Sequence, residues 1–201
     1  MSVPETAEPG LHPQPKPEAV DQTVLRIQRM SVSFDALEDR IALDVDGVEG
    51  VVARLWLTRR GTDTIVSAAA AKVEAYAVSQ YARANVPPAA ADQLRQSALA
   101  TRQLTARLTQ RNAQGVIVSA DTPEHIVTGF ALTSNAQHIR LDFQCRPELS
   151  AMVLLQSAEL FQWLAALQRQ YQKAGWGMEV WPAWFTQKSK SSFPFHTPRR
   201  T

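Results

Sequence analysis

Apolar side chains recur at every second position from Val24 onward, in short β-branched and aromatic runs separated by polar turns. Val24 to Phe34 reads as a first strand. In a second, Ile41, Leu43 and Val45 alternate with Ala42, Asp44 and Asp46, and Gly47 and Gly50 bracket a turn into a third, Val51 to Thr58. Connections this short cannot carry the chain back for parallel pairing, so the three strands should form an antiparallel meander with one apolar face.

The period changes at Arg60-Gly61-Thr62-Asp63. Thr62 or Asp63 can cap a helix that lays Ile65, Val66, Ala69, Val73, Tyr76 and Ala77 along one side and ends near Asn85, before Pro87-Pro88. Pro88 suits the first turn of a second helix running to about Arg111. In that helix Leu94, Thr101 and Leu108 fall seven apart with Leu104 between, a narrow seam of the coiled-coil kind, and residues 63–111 are expected to form an antiparallel helical hairpin. A second β region follows, with strands at Glu124 to Leu132, Gln137 to Cys145 and Ser150 to Leu155, and turns at Ser134-Asn135 and Arg146-Pro147. Ser157 is the expected cap of a last helix through Leu160, Phe161, Leu164, Leu167 and Tyr171, closed by Gly175.

The pattern predicts an α+β fold: antiparallel sheet from two strand–strand–strand–helix halves, with the helical hairpin between them. Arg40-Ile41-Ala42-Leu43-Asp44-Val45 lies 98 positions before His138-Ile139-Arg140-Leu141-Asp142-Phe143. A duplicated unit accounts for this match, and so do two unrelated amphipathic strands.

Composition divides the chain into tail, core and tail. Residues 1–22 hold five prolines and Glu5, Glu8, Glu18 and Asp21 against Lys16, with too little apolar surface to offset the entropy of ordering, and are expected to be a disordered acidic tail. Residues 23–185 should be a single domain, since 201 residues with 45% apolar content suffice for one substantial core. Residues 186–201, with Lys188, Lys190, Arg199 and Arg200 and no acid, read as a flexible basic tail. One cysteine, no basic and apolar leader after Met1, and no uninterrupted apolar run near ~20 residues point to a reducing cytoplasmic setting without a membrane span. Abundant Arg and Ala fit a GC-rich bacterial genome.

Candidate chemistry is sparse. His12, His125, His138 and His196 lack Cys, His or Glu at zinc-ligand spacings, so no metal site is expected. The eight glycines form neither a dinucleotide fingerprint nor a P-loop, there is no nucleophile elbow, and no cofactor is expected. Cys145 with a histidine, or Asp44, Asp46 and Asp142 converging from neighbouring strands, would make an enzyme; a packed thiol and a solvated strand face are the simpler readings.

These features favour a non-enzymatic interaction or assembly factor that uses a folded core plus its tails. Trp184, Lys188, Lys190, Phe193, Phe195, Arg199 and Arg200 are the expected contacts to a protein partner, because aromatics inside a basic tail have little core of their own to join. Trp176 and Trp181 fit a core or lid better. The alternative is a nucleic-acid-binding accessory protein using Arg95, Arg102, Arg107 and Arg111, since Gln93 to Ala120 contain no acid. A homodimer could form by pairing of Val24 to Phe34 across a twofold axis, or through the leucine seam.

Overall fold

The computed structural model describes residues 24–82, 87–109, 115–135 and 137–186. Strands β1 (Val24–Asp35), β2 (Arg40–Gly47) and β3 (Val52–Leu57) are followed by helices α1 (Arg59–Ala82) and α2 (Pro88–Thr109). Strands β4 (Glu124–Ser134), β5 (Ile139–Arg146) and β6 (Leu149–Leu155) lead into α3 (Ser157–Ala174) and a single turn, α4 (Ala183–Thr186). The α+β class fits.

The sheet differs from the expected antiparallel arrangement by closing on itself. Each three-strand run is an antiparallel meander, as short connections require. The two runs then join edge to edge in parallel, β3 beside β4 and β6 beside β1, to give a barrel in the order β1-β2-β3-β4-β5-β6. Two helices lie between β3 and β4, which is the long connection that parallel neighbours need. The join is short on this side: β6 pairs with Val24 to Arg26, and β2 pairs with β1 from Ile27 to Asp35.

Both halves use one construction. In β2 and β3, Ile41, Leu43, Val45, Leu55 and Leu57 are fully buried in the barrel; Leu141, Phe143, Ala151, Val153 and Leu155 do the same in β5 and β6. A bulge interrupts β1 between Ile27 and Arg29 and β4 between Val127 and Gly129. The bulged residue shifts the side-chain alternation by one place. Leu25 and Ile27 therefore face the same interior as Met30, Val32 and Phe34. The spacing of 98 residues holds from Ile41 and Ile139 into the first residues of α1 and α3, Arg59 and Ser157. Each of these helices packs on the first strand of the other half, α1 on β4 and α3 on β1.

Helix ends differ in detail from the sequence pattern. α1 starts at Arg59, four residues before Asp63, because the Thr58 hydroxyl accepts the Gly61 amide at 3.1 Å. Asp63 is then free to take the Tyr171 hydroxyl. α3 is capped by Gln156 rather than Ser157, its amide donating to Glu159 Oε2 at 2.6 Å, and Gly175 ends it with φ +66°.

The helical hairpin expectation placed the α2 seam against α1. Instead α2 makes its main contacts with α3 and α4. Its buried positions are Leu99, Gln103 and Ala106, one turn apart on the face opposite the leucine seam.

Candidate functional site

The outward face of α2 carries Leu94, Leu104 and Leu108, 49%, 43% and 58% exposed, whereas Leu99 on the inward face is 1% exposed. Seven-residue spacing brings Leu94, Thr101 and Leu108 into line, with Leu104 and Thr105 beside them. The threonine hydroxyls are already engaged. Thr101 donates to the Ser97 carbonyl at 2.9 Å, Thr105 to Thr101 at 3.0 Å and Thr109 to Thr105 at 3.1 Å. The surface between the leucines thus asks for no external acceptor. At 100° per residue, Arg102 and Arg107 fall on either side of this strip.

The arginines expected to form a nucleic-acid surface have separate roles. Arg95 pairs with Asp92 one turn earlier at 2.8 Å. Arg107 points to the C-terminal segment, donating to the Phe185 carbonyl at 2.9 Å and to Gln168 Oε1, and desolvation lowers its pKa. Arg102 borders a cavity between α2 and α3. Arg111 lies outside the described residues.

Trp184 is placed in the core, 1% exposed, which corrects its assignment as a surface contact. Its indole donates to Glu74 Oε1 at 2.8 Å, and its ring lies 5.7 Å from Phe161 and 4.5 Å from Phe185. An aromatic pair carried on the single turn of α4 reaches α1, α2 and α3 at once, so a core position satisfies it more fully than water would. Trp176 and Trp181 are buried against Tyr171, with centroids 5.1 and 5.3 Å away, and the Trp176 indole donates to Asp39. Lys188, Lys190, Phe193, Phe195, Arg199 and Arg200 lie outside the described residues.

The carboxylates anticipated as a cluster are held apart and paired. Asp44 accepts from Arg54 at 2.7 Å, Asp46 from Arg29, and Asp142 from Arg140. β2 and β5 stand three strands apart either way round the barrel, so Asp142 faces away from the other two. Arg54 also lies over the Trp56 ring at 5.3 Å and close to Glu124, which takes the Trp56 indole proton. No cluster of three potential metal ligands occurs among the described residues. Cys145 faces the barrel interior, where burial pushes its thiol up to about 11, and the His125 Nδ1 lies 3.0 Å from the Pro147 carbonyl. A thiol protonated at neutral pH is a poor nucleophile.

No family model, curated protein or solved structure matches the chain. The case for function therefore rests on this geometry. Among the described residues no helix is long and apolar enough to cross a membrane.

One feature of the surface was not singled out from the sequence. Lys72, Arg102, Asn135, His138 and Ser157 line one cavity of about 230 Å³, although they come from three helices and a hairpin turn. Only the tertiary fold assembles them, and no local spacing announces it.

Proposed function

We propose that the protein is a non-enzymatic interaction or assembly factor whose α2 face receives an amphipathic helix of a partner protein. The observation that carries this reading is the outward strip of Leu94, Leu104 and Leu108, with intervening threonines already hydrogen-bonded to their own helix. A heptad-spaced strip is the shape into which another helix packs its knobs. Charge indicates which helix. Arg102 lies to one side of the strip and no acid occurs from Gln93 to Ala120, so a partner with acidic residues beside its apolar seam is matched and a second copy of α2 is not. The acidic residues 1–22 and the basic residues 186–201 are proposed to add charge-steered contacts, with Phe193 and Phe195 burying against the partner.

The test compares the tagged full chain with its Leu104→Asp/Leu108→Asp variant as baits in native cells. Both should be folded by circular dichroism, and a protein captured by the first should be lost from the second. Capture of the same protein by both, with equal yield, would contradict the proposal. Nucleic acid retained by the unmodified chain and released by salt would favour the alternative instead.

A further inference from the structure

A cavity of about 230 Å³ opens where α1, the β4–β5 turn and the first turn of α3 meet α2. Its polar rim is Lys72, Arg102, His138, Asn135 and Ser157, and its wall includes Val73, Ile139 and Phe161. Among the described residues no carboxylate lines it. Among the described residues neither Lys72 nor Arg102 belongs to an ion pair. This sets them apart from Arg29, Arg54, Arg95 and Arg140, each held by a carboxylate. The nearest acid on α3, Glu159, is turned to the Gln156 amide. The positive end of α3 adds to the same potential at Ser157.

We infer that this cavity binds a small organic anion, a phosphate or carboxylate carried on a flat apolar body. Lys72 and Arg102 neutralise the anionic group, Asn135 and Ser157 supply neutral hydrogen-bonding groups, and the Phe161 and Ile139 side takes the apolar part. Size limits the ligand: the volume falls below the roughly 300–1,000 Å³ of sites for drug-sized molecules, so a single ring or short acyl group fits. The adjoining groove along Thr101, Thr105 and Gln162 shares Arg102, Ser157 and Phe161 with the cavity.

The test is a titration of the isotope-labelled full chain, at constant ionic strength, with phenyl phosphate, benzoate and phenol, followed by backbone amide shifts. Saturable shifts at Lys72, Asn135, His138 and Ser157 are expected with phenyl phosphate or benzoate, and the stronger of the two identifies the anion. Phenol should bind much more weakly. Lys72→Ala/Arg102→Ala should weaken binding by about tenfold or more, as removal of charge-assisted hydrogen bonds does, while Lys72→Arg/Arg102→Lys should retain it. The inference is overturned by absence of saturable shifts with both anions, by phenol binding equally well, or by unchanged affinity in the alanine pair.

Discussion

Several large side chains in this molecule are buried with a polar atom that has found a partner. Tyr171 is wholly buried, yet its hydroxyl reaches Asp63, and both burial and that bond raise its pKa. Cys145 is raised to about 11 by burial alone. For both groups the folded state holds the proton more tightly than the unfolded chain. The contribution of Cys145 to stability is therefore complete below the unfolded thiol value near 9 and is lost as pH climbs through about 11, while that of Tyr171 begins to fall only above its unfolded value of 10. Equilibrium urea unfolding at about pH 7.5, 9 and 10.5, below, at and above the unfolded thiol value, should show stability falling over the last interval. The fall should be smaller in Cys145→Ala, and an identical fall in that variant would remove the thiol from the explanation. Pairing explains the acids as well. Asp142 has its partner Arg140 two places earlier on the same strand, within reach of the sequence pattern, whereas the arginines opposite Asp44 and Asp46 became visible only with strand register.

At the scale of elements, sequence pattern located the strands and helices well because each half-buried element repeats its apolar positions at its own period. The bulges in β1 and β4 were legible in principle: apolar residues at 25 and 27 give way to 30, 32 and 34, a parity change that only an inserted residue can reconcile. The orientation of α2 was harder. Its leucine strip scores as the apolar face, while the face that packs contains Leu99, Ala106 and the amide Gln103. On this face Arg107 and Gln168 tie α2 and α3 to the Phe185 carbonyl. The two faces predict opposite mutational behaviour. Leu99→Ala should cost about 2–5 kcal/mol by emptying a packed site, whereas Leu104→Ser and Leu108→Ser should each change stability by no more than about 0.5 kcal/mol. Thermal melts of the three variants decide it, and a large loss from either outer leucine would make the strip part of the core.

For the whole molecule, closure of the barrel determines which surfaces remain for recognition. Two short parallel joins, β1 with β6 and β3 with β4, close the sheet, and the tryptophan-rich segment after α3 is drawn inward to complete the core. Short-range pattern could not reveal either outcome, since both depend on pairings between residues far apart in sequence. Among the surfaces left outside are the α2 helix face and the cavity lined by Lys72 and Arg102 beside it. The most direct measurement of docking on the α2 face is photo-crosslinking in native cells, with a photoreactive phenylalanine replacing Leu104 in one chain and Leu37, 97% exposed in the β1–β2 turn, in another. A discrete adduct with another protein is expected from position 104 and none from position 37. Equal labelling from both positions, or no adduct from position 104, would contradict it.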